Sequence, residues 1–346
     1  MVGINEQIDE PMTSKNSDTS GKRVLVCGAG SIGRRHIANL LQLGAEVSVW
    51  RARSELLNDI TRDFSVKIFI DLSDAIAAVD GVVVATATDQ HVAIASEALK
   101  AGRALFIEKP ISHDWTGISD LRRLADGKVV EVGFQFRAHP NLIALALQLR
   151  KSADEKQLTY RLAMGHRLDA WRPDQDYQQG YSANSARGGG ALFDLIHQID
   201  LALWLFGPAL GVNAVLAKLG AMNIQGDDVT NLLLTHKNGV TGHIQLDMAS
   251  PVYRCEAEVM TSDALFLWSN ADGKLHKLTA EGETIVNCLP EGFERNDLFY
   301  SHMEHWLRRM DEPQISPLCS FEDGVAALEV ALGARKSSLL EKTIKF

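Results

Sequence analysis

Apolar and polar positions follow two different rhythms along this chain. Up to about residue 135, short apolar runs recur at Arg23–Cys27, Val47–Trp50, Val66–Ile70, Gly81–Ala85, Ala104–Ile107 and Lys128–Gly133. Helix-period stretches such as Arg34–Leu43 fall between several of them. Strands alternating with helices predict a parallel, doubly wound sheet. Further on the period drops to two: Leu158–His166, Thr230–His236, Val240–Met248, Arg254–Thr261, Ala264–Ser269 and later short runs read as half-buried strands. Asn238-Gly239 and Asp272-Gly273 supply hairpin turns between them. This is a meander, and it predicts a mostly antiparallel sheet. Helical patterns remain at Asn141–Lys151, Asp297–Arg309 and Phe321–Leu340.

The stretch Gly188–Gly207 fits neither rhythm. Three glycines lead in, one closes it, and nearly every position between is apolar, which predicts a single capped helix buried all round. Asp194 and His197 interrupt it three residues apart, a spacing that puts both on one helix face. A buried carboxylate and imidazole are costly unless paired or used. The expectation is that this helix carries catalytic groups.

Composition narrows the setting. A formal net charge of -9 argues against nucleic acid or an anionic membrane as the main partner. Cys27, Cys255, Cys288 and Cys319 are scattered without a C-x-x-C pair, which fits a reduced compartment with neither a disulfide framework nor a zinc site. Residues 1–21 are polar, lack the apolar core of a signal peptide and read as a flexible tail. No uncharged apolar run reaches the roughly 18 residues of a membrane span. A cytoplasmic protein is expected, with a dinucleotide-binding domain at 22–136 and a second α/β domain at 137–346.

Gly28-Ala29-Gly30-Ser31-Ile32-Gly33 follows the first strand and opens a helix, the context in which G-x-G-x-x-G binds a dinucleotide. Gly28 allows the tight turn, Gly30 a close approach of pyrophosphate, and Gly33 close packing of helix on strand. The N–H groups of Ser31 and Ile32 open the helix toward the phosphates. The second strand ends in Trp50-Arg51-Ala52-Arg53-Ser54, with no acid before Glu55 to hold a ribose 2′-hydroxyl. Arg51, Arg53 and Ser54 suit a 2′-phosphate, so NADP(H) is expected over NAD(H). Thr86, Thr88 and His91 follow the fourth strand and Glu108-Lys109-Pro110 the fifth, at the sheet edge where open α/β folds bind ligands. In the Gly133–Pro140 segment, Arg137 either positions substrate or makes a structural ion pair. The irregular loop Arg167–Arg187 brings Trp171, Arg172, Tyr177 and Tyr181, side chains suited to sugars as much as to packing a lid.

Together G-A-G-S-I-G-R-R-H at 28–36, T-A-T-D-Q-H at 86–91, E-K-P at 108–110 and G-G-G-x-L-x-D at 188–194 resemble the glucose–fructose oxidoreductase/inositol dehydrogenase (Gfo/Idh/MocA) family, from Lys22 to the C-terminus. The resemblance implies a Rossmann domain joined to an α/β domain with a large, mostly antiparallel open sheet. It also implies a catalytic-site role for Lys109 and hydride transfer between a nicotinamide and a sugar, cyclitol or activated sugar. His197 is then the acid/base, Lys109 its hydrogen-bonding or proton-relay partner, and Asp194 the substrate orienter. One departure stands out: much of the family has D-x-x-x-H-x-x-D. Here His197 and Asp200 keep H-x-x-D with Asp194 displaced, or Asp194 is in register and Gln198 takes the histidine position. A non-catalytic dinucleotide-binding regulator and an NAD-dependent glycoside hydrolase are the rival readings. The sheet's open face needs cover, so a homodimer or homotetramer is expected.

Overall fold

The computed structural model describes residues 21–51, 58–151, 156–171, 176–220 and 222–346. The tail through Ser20, Arg53, Ser54 and Arg172 lie outside the described residues. The chain divides into two units, one running through Ala138 and taking in Glu294–Val325, the other formed by His139–Phe293 and Ala326–Phe346.

The first unit alternates strand and helix as the sequence predicts. In order come β1 (Arg23–Cys27), α1 (Ser31–Gln42), β2 (Glu46–Trp50), α2 (Asn58–Asp63), β3 (Lys67–Phe69), α3 (Leu72–Ala77), β4 (Gly81–Val84), α4 (His91–Lys100), β5 (Ala104–Ile107), α5 (Ile118–Ala125) and β6 (Val130–Val132). The sheet order is β3-β2-β1-β4-β5-β6 and every pairing is parallel. Order reverses between β1 and β4, the switch point where such sheets take ligands. The runs of the central strands β1, β4 and β5 are buried, with Val24, Val26 and Val83, and Val49 of β2, fully enclosed with Ile37 and Leu40 of α1, whereas the edge run at β3 is partly exposed.

The second unit holds α6 (Pro140–Lys151), β7 (Gln157–Gly165), α7 (Ala191–Asp194), α8 (His197–Phe206), β8 (Ala209–Ala217), β9 (Val229–His236), β10 (Thr241–Asp247), β11 (Arg254–Thr261), β12 (Leu265–Ser269), β13 (Lys274–Thr279) and β14 (Gly282–Cys288). After these come α9 (Arg295–Asp311), α10 (Phe321–Leu340) and β15 (Ile344–Lys345). The sheet runs β14-β13-β12-β11-β7-β10-β9-β8-β15, and β7 with β10 is the parallel pair in an otherwise antiparallel array. Period two is borne out: Thr230, Leu232 and Leu234 of β9 are buried, while Leu233 between them is exposed. Glycine within a strand has a reason at Gly242, where a Cβ would overlap the ring of Tyr160, its register partner on β7. That ring stacks on Phe206 at 4.2 Å, and its hydroxyl meets His236 Nε2 at 2.8 Å.

One boundary differs from the sequence reading, which gives everything after Phe136 to the second domain. The segment Glu294–Val325 packs with the first unit. Met303, Trp306 and Leu307 of α9 are fully buried in the core around β1 and β4. A Cβ on Gly81 would come within 2.9 Å of the Trp306 ring, so β4 begins on a glycine to seat it. On β6, Glu131 is fully buried and accepts hydrogen bonds from His305 Nδ1 (3.0 Å), Arg309 Nη1 (3.2 Å) and the Cys319 N–H (3.2 Å), with His302 Nε2 at 3.4 Å. Burial alone would raise its pKa, but the histidine partners outweigh burial and hold it at about 2. A helical period shows that α9 has an apolar face; it does not show which sheet that face meets.

Candidate active site

Candidate site residues occur in each unit. In the first unit the N–H of Gly28 donates to the Trp50 carbonyl at 2.9 Å, which ties the glycine turn to the end of β2. Gly28 has φ +96°, and a Cβ there would come within 2.6 Å of the Ala85 carbonyl. A Cβ on Gly33 would overlap the Gly28 carbonyl, whereas one on Gly30 would meet nothing within 4 Å. The middle glycine therefore faces open space while the outer two are sterically required. The first intrahelical bond of α1 runs from Arg34 N–H to Gly30 O, and no side chain caps the helix, so the N–H groups of Ser31, Ile32 and Gly33 lead toward that space. Beyond the end of β4 the buried Thr86 hydroxyl has no hydrogen-bond partner among the described residues. An uncapped helix, an open middle glycine and an orphaned hydroxyl at the switch point fit a dinucleotide.

Several expected cofactor ligands turn out to hold the frame. His91 is buried, with Nδ1 at 2.8 Å from the Pro110 carbonyl and Nε2 at 3.1 Å from that of Thr86. It lies between the loops after β4 and β5 and, as a neutral ring, donates to one of these two carbonyls. Its burial lowers its pKa and so favours the neutral ring. Thr88 is buried in the 3₁₀ turn that precedes α4. Glu108 is also buried: Oε1 pairs with His36 Nε2 at 2.7 Å, and Oε2 accepts the Lys109 N–H at 3.2 Å. A Cβ on Gly133 would lie 2.9 Å from that carboxyl, so a glycine makes room for it. Burial pushes the Glu108 pKa up, but His36 and the charge of Lys109 outweigh it, leaving a carboxylate. Glu108 thus holds the backbone N–H of the half-buried Lys109. Arg137 resolves to the structural alternative, since its Nη1 lies 3.1 Å from both the Leu318 carbonyl and Asp323. Arg51 meets Asp59 at 3.1 Å.

In the second unit, the glycines set up the helix that follows. A Cβ on Gly189 would strike the Tyr181 and Ser182 carbonyls, and Gly190 has φ +116° with its Cα side against Asp227. The Asp227 carbonyl accepts the Ala191 N–H, and its carboxyl accepts the Leu192 N–H (2.9 Å) and the Thr230 hydroxyl (2.6 Å). Asp227 therefore anchors the start of α7. Here the structure corrects the sequence. The stretch is two helices that meet at a 51° bend, with Leu195 and Ile196 between them. Asp194 closes α7 and His197 opens α8, so they do not share the face of one continuous helix. The terminal glycine is as expected, with Gly207 at φ +82°.

Asp194 and His197 are nonetheless both buried, at 3% and 5% exposure. The Ser182 hydroxyl donates to Asp194 Oδ1 at 3.2 Å. Gln198 is bound into the sheet, its Nε2 donating to Cys255 Sγ at 3.1 Å and to the Ala163 carbonyl at 3.5 Å. The loop before the glycines is a chain of 3₁₀ turns; in it the Trp171 indole donates to the His166 carbonyl at 3.1 Å and the Tyr177 hydroxyl accepts the Asn223 N–H at 3.3 Å. Tyr181 is half-buried on the turn that also carries Ser182.

Residues 22–136 match the model of the oxidoreductase family with an NAD-binding Rossmann fold, and residues 147–266 match the GFO/IDH/MocA C-terminal domain. The chain belongs to the Gfo/Idh/MocA family. It is 24% identical to glucose-6-phosphate 3-dehydrogenase of Bacillus subtilis over 89% of this chain and 94% of that one. It is 31% identical to inositol 2-dehydrogenase of Rhizobium meliloti over 52% of this chain and 53% of that one. Among solved structures, levoglucosan dehydrogenase in complex with NADH and levoglucosan superposes with a TM-score of 0.83 at 20% identity, covering 94% of this chain and 99% of that one. As in that shared fold, the Gfo/Idh/MocA chain here joins a Rossmann unit to a large, mostly antiparallel sheet.

The residues that sequence reasoning missed in this Gfo/Idh/MocA chain are supporting ones. His36 lies inside the G-x-G-x-x-G-R-R-H motif, but its contact with Glu108 spans 72 residues and has no local signature. Asp227 and Ser182 reach Asp194 or its helix from other segments in the same way. Arg34 and Asp59 flank the end of β2, and only the fold brings them together.

Proposed function

We propose that this NAD(P)-dependent family member transfers a hydride between nicotinamide and a carbinol or ketone of a sugar, cyclitol or activated sugar. The observation that carries the reading is the helix break that sets Asp194 and His197 at successive helix ends, both buried, while Gln198 beside them is anchored to the sheet. The names of the curated relatives, a sugar phosphate dehydrogenase and an inositol dehydrogenase, support a polyhydroxylated ring as substrate.

The nicotinamide supplies the hydride chemistry when bound. Gly28, Gly30 and Gly33 with the first N–H groups of α1 would hold its pyrophosphate, and Thr86 would meet it at the end of β4. His197 takes the hydroxyl proton on oxidation and returns it on reduction, a task suited to imidazole near neutral pH. Lys109, held by Glu108, donates a hydrogen bond to the reacting oxygen. Asp194, steadied by Ser182, accepts from a neighbouring substrate hydroxyl and fixes the ring. Tyr177, Tyr181 and Trp171 contribute substrate contacts. Arg51 at the end of β2 favours NADP(H), because a guanidinium pairs with a 2′-phosphate more strongly than with a hydroxyl.

A panel of sugars, cyclitols, sugar phosphates and nucleotide sugars, assayed at 340 nm with NADP+ and with NAD+, tests this reading. Net reduction is expected with at least one member, faster with NADP+. Product release without any net absorbance change would instead identify the hydrolase chemistry. The exposed Val215 and Leu233, on the neighbouring strands β8 and β9, support a homo-oligomer through the open sheet face, which light scattering of the full chain would reveal.

A further inference from the structure

Three elements of the first unit converge on one carboxylate beyond the end of β2. Asp59, in the first turn of α2, receives Arg34 Nη2 at 2.6 Å and Arg51 Nη1 at 3.1 Å. Arg34 directly follows Gly33, and Arg51 directly follows Trp50, whose carbonyl accepts the Gly28 N–H. Both guanidiniums are thus fixed to the glycine turn by the chain itself, and Asp59 bridges them. Arg34 has a second acceptor in Asp63 at 2.6 Å, which in turn pairs with Arg62 at 2.9 Å.

We infer that Asp59 is a cofactor-discriminating residue, an internal anion that competes with the 2′-phosphate of NADP(H) for Arg51 and Arg34. Carboxylate and phosphate offer guanidinium forks the same kind of acceptor oxygens, so one can replace the other in the bridge. A 2′-phosphate must displace the carboxylate or share cations with it, at a repulsive cost, whereas the 2′-hydroxyl of NAD(H) leaves the bridge undisturbed. Asp59 therefore reduces the advantage that two arginines would otherwise give NADP(H). This rests on the proposed nicotinamide binding but not on which nucleotide the wild-type chain prefers.

Binding, read without turnover, provides the test. NADPH and NADH are titrated by calorimetry into the full wild-type chain, Asp59→Asn, Arg51→Gln and the double variant, with circular dichroism and thermal melting to confirm folding. Asp59→Asn is expected to tighten NADPH about tenfold, the scale of one charge-assisted contact, with NADH changed less than about twofold. In the Arg51→Gln background most of that gain disappears. The fragment 2′,5′-ADP, competed against NADH, follows NADPH. Unchanged or weaker NADPH binding in a folded Asp59→Asn overturns the inference, as does a gain that persists in full without Arg51. Weaker NADH binding overturns it too, because Asp59 would then be a ribose-hydroxyl acceptor. A wild-type preference for NADH discards the expected cofactor preference alone, since the ratio still shifts toward NADPH on substitution.

Discussion

Ser182 and Asp194 are joined by a 3.2 Å hydrogen bond that connects the loop before the glycines to the last residue of α7. The hydroxyl fixes one carboxylate oxygen, which orients the other. Ser182→Ala removes the tether and leaves the carboxylate in place, so kcat should fall about three- to tenfold, the worth of one typical hydrogen bond. Asp194→Asn should cost on the order of a hundredfold, chiefly in kcat/KM. Equal losses in the two variants would show that Asp194 has no function beyond accepting that bond.

His197 and Gln198 are adjacent, and the site assigns them opposite jobs. His197→Ala should lower kcat by about 10²–10⁴, the usual range for a general acid–base group, with nucleotide affinity unchanged. Gln198→Ala loses the bonds to Cys255 and Ala163, so it should lower stability by about 1–2 kcal/mol and leave kcat within about twofold. Steady-state kinetics and urea midpoints on both variants decide the matter. An inactive but stable Gln198→Ala would reverse the register assigned to this helix.

The sequence carried the alternating half of this protein well, because a buried parallel strand is a local signal. Val24–Cys27 and the glycines after it are legible from the strand–turn–helix pattern alone, although only Gly33 answers to a local contact, with Gly28, while Gly28 packs on Ala85 at the end of β4. The meander was legible for the same reason, as Leu232 and Leu234 announce their buried side by period alone. Three features were not legible. The bend at Leu195–Ile196 follows no proline or glycine, and an apolar run reads as one helix whether or not it turns. The return of α9 to the first unit depends on which sheet accepts Trp306. The contacts of His91, Glu108 and Arg137 with Pro110, His36, Leu318 and Asp323 join residues distant in sequence and leave no local signature.

The His36–Glu108 pair makes that support testable. Both side chains are buried and 2.7 Å apart, so replacing one partner strands the other. His36→Leu leaves a buried carboxylate without its nearest donor and should cost about 3–5 kcal/mol. His36→Gln, which can still donate, should recover much of it. If Glu108 positions Lys109 as argued, His36→Gln also lowers kcat more than it raises KM, whereas a purely structural pair would move melting temperature and leave kcat alone.

Acid should weaken the fold through two buried groups that act in different pH ranges. In the second unit His139 is buried, edge-on to Trp268 at 4.9 Å, and its Nδ1 accepts the Asn141 N–H at 3.2 Å, so a proton has neither room nor a lone pair there. Burial lowers its pKa from 6.5 to about 4. Between those values the unfolded chain binds the proton more readily than the folded one, so stability complete above pH 6.5 declines as pH falls toward 4. In the first unit Glu131 drops from 4.5 to about 2, so its contribution is complete above pH 4.5 and is lost toward pH 2. Each shift corresponds to about 3 kcal/mol at 1.36 kcal/mol per pH unit. Urea unfolding of the wild-type chain followed by tryptophan fluorescence should therefore weaken from pH 7 to pH 4.5. His139→Gln, which still offers an acceptor to Asn141, should flatten that slope while keeping the loss below pH 4.5. A variant that retains the full wild-type slope between pH 7 and pH 4.5 would rule out His139 as its source.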